Sequence, residues 1–323
     1  MSKTSLSMIV QVKQKTQAAA DIACFELVDP HGRELPAFTA GSHIDVQTDD
    51  EHLRQYSLSN ASHERTRYQI AVLREPESRG GSTAMHDKVQ EGDYLRISAP
   101  RNHFAVDHDA KRSVLFAGGI GITPILAMAE ELHAKGADFE LHYSASTPEN
   151  AAFVDYLKAA PYADKVTFHY TKTENGQRID LASMAAKPEA AVHIYVCGPE
   201  AFNDAVISAY ETAGWPKRQL HTEYFVGATV DTSSDGSFEV QLARSGVSFQ
   251  IPADKTVADV LIDNDIDLLT SCEQGICGTC ITKVLEGTPD HRDRYMTDEE
   301  HAANDQFTPC CSRSKSKVLV IDL

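Results

Sequence analysis

The sequence is short of positive charge and of long apolar runs. Its 323 residues carry 30 Lys and Arg against 47 Asp and Glu, a formal net charge of -17. That deficit excludes nucleic acid as a partner, because its phosphates would be repelled over most of the surface. The one long uncharged run, Ser113–Ala129, is shorter than the ~20 residues of a spanning helix and is interrupted by glycines and a proline. The opening MSKTSLSMIVQVKQKTQ holds no apolar segment of secretory length. A cytoplasmic protein with no membrane contact is expected. Internal repeats and low-complexity segments are also missing, which removes solenoid and array architectures.

What is present falls into three stretches. From Met8 to about Ala105, short β-branched and aromatic runs such as RYQIAVLRE and DYLRISAP alternate with turn residues, and DPHG (Asp29–Gly32) reads as a hairpin turn. An antiparallel β-barrel is expected there. From about Lys111, the apolar runs SVLFAGG, FELHYSA, KVTFHYT and HIYVCGP are interleaved with the amphipathic stretches ITPILAMAEELHAKG and PEAFNDAVISAYETAG. This rhythm predicts an α/β, doubly wound parallel sheet. VGATVDTSSDGS then reads as a linker, followed by a hairpin, the amphipathic helix TVADVLIDND, a cysteine loop and a last strand. The expected division is a barrel over 1–106, an α/β domain over 107–226, a linker over 227–237 and a third domain over 238–323.

Seven cysteines are an odd number for a disulfide framework, and in a reducing compartment a cluster of them suits a metal better. CEQGICGTC contains Cys272, Cys277 and Cys280 at C-x4-C-x2-C spacing, and Cys310 follows after about thirty residues. This is the spacing of a plant-type [2Fe–2S] centre. A zinc site is the competing reading, but it more often uses paired C-x2-C knuckles, and one such pair is present. Gly275 and Gly278 would let backbone N–H groups turn toward the negatively charged sulfurs. Cys310 and Cys311 compete for the fourth position, and if they lie on a strand only one can face the cluster. Cys24 and Cys197 read as buried strand residues.

Two further motifs suit phosphorylated cofactors. In AGGIGITPILAMA a buried strand runs into Gly118-Gly119-Ile120-Gly121, with Thr123 placed as an N-cap and Pro124 at the first helical position. Cys197-Gly198-Pro199-Glu200 ends a later strand of the same sheet, so the two turns are placed to share one crevice. In the barrel, RQYSLSN and SRGGST offer an arginine, an aromatic ring, hydroxyls and a glycine turn able to grip a phosphorylated planar ring.

These motifs, in this order, resemble the phthalate dioxygenase reductase and vanillate demethylase reductase-like family over nearly the whole chain. The resemblance implies an FMN barrel, an NAD domain and a C-terminal, α+β, β-grasp-like ferredoxin in one chain. It implies that Arg54, Tyr56 and Ser57 meet the flavin, with Ser57 near its reactive nitrogen. It further implies that Ala71, Val72 and Leu73 border the ring and that Arg79, Gly80, Gly81 and Ser82 hold its phosphate. Thr123 and Phe225 approach from the nicotinamide side, and Gly119, Gly121, Cys197, Gly198 and Pro199 form the nicotinamide site. Cys310 takes the fourth cluster position beside Cys272, Cys277 and Cys280. HYSASTPENAAF lacks an arginine to meet a 2′-phosphate, so NADH is expected over NADPH. The implied activity is electron transfer from NADH through FMN and the [2Fe–2S] cluster to a separate Rieske-type terminal oxygenase, in a transient contact. No side-chain acid or base is required by this chemistry, which is borne by the cofactors. An NADH-dependent reductase serving another acceptor would share every motif.

Overall fold

The computed structural model describes residues 7–323 except 49–51, 77, 79, 175, 177, 229 and 231. The chain divides into two compact units, Leu6–Phe225 and Val226–Leu323.

In the first unit, six antiparallel strands run in the order Leu53–Ser57, Ser42–Gln47, Tyr94–Ile97, Met8–Ala19, Ile22–Val28 and Tyr68–Leu73. An isolated bridge between Leu58 and Ile70 joins the two outer strands and closes the barrel. Closure removes exposed sheet edges and leaves an interior for alternate side chains. Val10, Val12, Phe25, Ile44, Val46, Ile70 and Ile97 fill it. DPHG does turn, with the Gly32 N–H donating to Asp29 O at 3.0 Å, but it does not close a hairpin. The strand before it pairs with Met8–Ala19 and Tyr68–Leu73, not with the next strand in sequence. A turn motif fixes the local bend, whereas strand partners are chosen by the whole sheet.

The same unit holds a five-stranded parallel sheet in the order Val166–Tyr170, Asp138–Ala145, Arg112–Gly118, Val192–Cys197 and Leu220–Glu223. Its central strand is apolar on both faces because helices cover both. Leu115 and Ala117 pack with Ile125, Met128 and Leu132, while Val114 and Phe116 pack with Val206, Tyr210 and Trp215. Burying one such large side chain contributes about 1.5–3 kcal/mol. Strand order reverses between Arg112–Gly118 and Val192–Cys197, which places a ligand crevice at the carboxyl ends of those two strands.

The second unit is a mixed sheet in the order Ser248–Ile251, Phe238–Leu242, Val318–Ile321, Thr282–Glu286 and Gln306–Phe307. The pairing of Phe238–Leu242 with Val318–Ile321 is parallel. The helix Val257–Asp263 lays Val257, Ala258, Val260 and Leu261 into the same core. It starts at Thr256, whose hydroxyl accepts from the Asp259 N–H while the Asp259 carboxylate accepts from the Thr256 N–H. This capping box contributes about 1 kcal/mol. Among the described residues no helix is long and apolar enough to cross a membrane.

Candidate active site and cluster loop

Arg54, Tyr56 and Ser57 lie on the barrel strand Leu53–Ser57. The Arg54 side chain lies over the turn at Gly81, where a Cβ would come within 2.5 Å of its Cγ. Gly80 has φ 97 and faces His52 equally closely, so both glycines are needed for this approach. Ser82 Oγ accepts from the Glu75 N–H at 3.2 Å and donates to Ser78 Oγ at 3.0 Å, which ties the turn together. Arg79 lies outside the described residues. The Tyr56 hydroxyl is buried with no hydrogen-bond partner among the described residues, and burial pushes its phenol well above the usual range. A buried unsatisfied hydroxyl costs about 1–3 kcal/mol unless a ligand answers it. The glycine cradle and this orphaned hydroxyl fit a flavin. Ala71 and Val72 are buried on the strand Tyr68–Leu73, with His86 Nε2 2.9 Å from Val72 O; Leu73 is half-buried.

Sequence reasoning missed Glu223. It ends the outermost parallel strand, Leu220–Glu223, and its Oε2 accepts from Ser57 Oγ at 3.4 Å. Burial of the carboxyl raises its pKa from 4.5 to about 8, against a lowering contribution from Ser57. The carboxyl therefore holds a proton at neutral pH next to the serine implied to face the flavin. Asn203 on the helix Glu200–Thr212 donates to Glu223 O at 3.0 Å and fixes the strand end. Nothing local in the strand sequence LHTE marks it, and its partner Ser57 lies 166 positions away.

The two glycine turns meet as expected. A Cβ on Gly121 would strike Cys197 O at 2.1 Å and Gly198 N at 2.7 Å, and Gly118 and Gly198 each lie against Phe202. A cavity of about 320 Å³ opens there, lined by Gly118, Gly119, Ile120, Pro199 and Phe202, by Ser144, Ser146 and Asn150, and by Leu73. A glycine-walled crevice at the switch point of a parallel sheet fits a dinucleotide. Thr123 is not the N-cap. A 3-10 turn, Gly119–Gly121, precedes the helix Ile122–Ala134, Gly121 is the cap, and Thr123 Oγ1 donates back to Ile120 O at 3.0 Å. The glycines let the chain begin winding two residues earlier than the Thr-Pro pair suggests. Cys197 is fully buried, which keeps its thiol protonated. Phe225 is half-buried against the core that backs the sheet.

In the second unit, Cys272, Cys277, Cys280 and Cys310 are all buried. The Cys272 thiol interacts with those of Cys277 and Cys310, and Cys310 also with Cys280. Hydrogen bonds from Cys277 and Cys310 hold Cys272 down, while the same contacts push those two up. Four thiols this crowded cannot all ionise without cationic charge among them, which fits an iron–sulfur cluster. The Gln274 N–H donates to Cys272 Sγ at 3.4 Å and the Thr279 N–H to Cys277 Sγ at 3.5 Å. Gly275 and Gly278 have φ 72 and 68, and a Cβ on Gly278 would meet the Tyr295 ring at 2.4 Å. Cys310 and Cys311 lie in a turn, not on a strand. Their thiols also contact each other, but Cys310 reaches Cys272 and Cys280, whereas Cys311 Sγ faces Thr308 Oγ1 at 3.3 Å and lies against Gly275.

Family models match all three regions: an oxidoreductase FAD-binding domain over residues 9–106, an oxidoreductase NAD-binding domain over 115–207 and a 2Fe-2S iron-sulfur cluster binding domain over 240–315. The chain is 51% identical to vanillate O-demethylase oxidoreductase of Pseudomonas putida across 97% of this chain and 98% of that protein. A solved structure of phthalate dioxygenase reductase superposes with a TM-score of 0.77 at 40% identity, covering 98% of both chains. An intact type IV self-sufficient cytochrome P450 monooxygenase matches with a TM-score of 0.85 at 42% identity; 98% of this chain covers 41% of that one. The chain therefore belongs to the phthalate dioxygenase reductase and vanillate O-demethylase reductase family, oxidoreductases that join a flavin-binding barrel, an NAD-binding sheet and a [2Fe–2S] ferredoxin domain.

Proposed function

We propose that this chain passes electrons from NADH through FMN and a [2Fe–2S] cluster to a separate Rieske-type terminal oxygenase. The observation that carries the reading is the order of three sites along one chain, with Ser57 and a protonated Glu223 at the meeting of barrel and parallel sheet. The proposed domains are 1–106, 107–226 and 238–323, with 227–237 as linker. The flavin that Arg54, Tyr56 and the glycine turn would hold would supply conversion between the two-electron chemistry of nicotinamide and the one-electron chemistry of the cluster.

The chain's own residues bind and orient. Arg54, Tyr56 and the Arg79-Gly80-Gly81-Ser82 turn hold the FMN phosphate, and Ala71, Val72 and Leu73 form the wall beside the ring. Ser57 and Glu223 keep a proton available 3.4 Å apart. Gly119, Gly121, Cys197, Gly198 and Pro199 admit the nicotinamide, with Thr123 and Phe225 shaping that side. Ser144, Ser146 and Asn150 line the crevice, neutral groups that suit the free ribose of NADH. Cys272, Cys277, Cys280 and Cys310 ligate the cluster.

The chain from Phe238 carries 15 acidic and 8 basic side chains, a formal -7. Asp265, Asp267 and Glu273 are exposed on the approach to the cluster loop, with Leu269 48% exposed among them. A basic oxygenase patch would dock there transiently and in a salt-sensitive way. NADH-driven O₂ consumption with the oxygenase component of a vanillate O-demethylase, weakened by added salt, supports the reading. Uncoupled NADH oxidation with every Rieske component opposes it. A second reading, favoured by the P450 match, is delivery to a haem monooxygenase, and P450 turnover in the same assay selects it. Mass analysis of the released flavin tests FMN directly: FAD refutes that assignment alone.

A further inference from the structure

Beside the cluster loop, His291, Asp293 and His301 each offer a ligand atom within 4.8 Å of the others. The Asp293 side chain is completely buried, that of His291 is 9% exposed and that of His301 27%. Neither ring nitrogen of His291 makes a well-formed hydrogen bond among the described residues; the Asn304 side chain approaches it, Asp293 Oδ1 lies 4.0 Å from Nδ1, and its ring stacks on His301 at 4.5 Å. A buried imidazole without a well-formed hydrogen bond, facing a carboxylate and a second imidazole, is costly as it stands.

The surroundings already hold these groups in place. Asp293 Oδ2 accepts from the Tyr295 and Met296 N–H groups at 3.2 and 2.8 Å, and Oδ1 accepts from Thr308 Oγ1 at 3.3 Å. His301 Nε2 sits 3.2 Å from both carboxylate oxygens. Arg292, between the first two ligands, is fixed by Asp235 at 2.6 and 2.8 Å and by Asp290 at 2.9 Å, and its N–H donates to Ser312 Oγ at 3.1 Å. A carboxylate oriented by backbone donors and two nearby imidazoles is the donor set of a borderline-soft divalent cation with one open position.

We infer that His291, Asp293 and His301 form a second metal site of this chain, separate from the four cluster cysteines and selective for a zinc-class divalent cation. The ion would satisfy His291 and replace the His301–Asp293 hydrogen bond, leaving the three other donors to Asp293 intact. Because Arg294 N–H donates to Gly275 O at 2.9 Å and Gly275 abuts Asp293, the bound ion would brace the cluster loop from outside.

The test is equilibrium dialysis of the holoprotein, first stripped on a chelating resin, against micromolar zinc, with zinc and iron per chain read by mass spectrometry. The expected result is one zinc more per chain than in the His291→Gln/His301→Gln variant, with about two irons per chain in both. Equal zinc in the two proteins overturns the inference. If the double variant loses iron, His301→Gln alone decides: zinc affinity lower by about tenfold or more supports the site, and unchanged affinity overturns it.

Discussion

Replacing Glu223 by Gln separates the burial of this carboxyl from its chemistry. Its pKa rises from 4.5 to about 8 because the carboxyl is enclosed. Below pH 4.5 it is protonated in folded and unfolded chains alike and adds nothing to the pH dependence. Between 4.5 and 8 the unfolded chain gives up the proton while the folded chain keeps it, so native stability falls as pH rises. At about 1.4 kcal/mol per pH unit, the penalty reaches roughly 5 kcal/mol above pH 8, an upper figure that relaxation reduces. Glutamine keeps the shape and removes the titration. The variant should lie within about 1 kcal/mol of the natural protein at pH 5 and exceed it by about 2–5 kcal/mol at pH 9. The only tryptophan, Trp215, is buried in the parallel-sheet core, so its fluorescence during urea unfolding of the flavin-depleted chain reads this unit. In the holoprotein, the rate of NADH-driven ferricyanide reduction should lose an inflection near pH 8 and fall at neutral pH. Identical pH slopes of stability in the two proteins would refute the assignment of a buried neutral acid.

Cys310→Ser should lose the cluster's visible bands and iron, whereas Cys311→Ser, whose sulfur faces Thr308, should retain both; the reverse pattern moves the ligand to Cys311. Tyr56→Phe should act with opposite signs, stabilising the flavin-free chain by about 1–3 kcal/mol through removal of an orphaned hydroxyl and weakening flavin binding about tenfold. Calorimetry and flavin titration check the two effects. Gly121→Ala introduces a Cβ 2.1 Å from Cys197 O, so it should destabilise the fold by about 1–3 kcal/mol and raise the KM for NADH. An unchanged KM would detach this turn from the nucleotide site.

Much of this arrangement was legible because it rests on local rules. Four of the five parallel strands announce themselves as apolar runs, the polar edge strand Leu220–Glu223 being the one that does not, and the cysteine spacing with Gly275 and Gly278 defines a loop that few other chemistries need. Where local rules compete, the sequence misleads. Thr123-Pro124 looks like a helix start, yet Gly119–Gly121 allows winding to begin earlier. DPHG bends the chain without choosing its strand partners. Glu223 was invisible as a functional group because its pKa depends on enclosure by distant residues, and telling Cys310 from Cys311 needed the contacts of each sulfur, Cys310 with Cys272 and Cys280 and Cys311 with Thr308. The His291–Asp293–His301 group escaped for the same reason: its residues are close in sequence, but burial rather than spacing distinguishes it.

The central claim is an internal electron path from NADH to the cluster. Anaerobic titration of the holoprotein with NADH, followed by flavin absorbance and by electron paramagnetic resonance of the reduced [2Fe–2S] centre, tests it most directly. The account predicts that flavin bleaching is accompanied by the cluster signal, and that Cys310→Ser bleaches without giving that signal. A natural protein whose flavin bleaches with NADH while its cluster stays oxidised, yet is reducible by dithionite, contradicts the account.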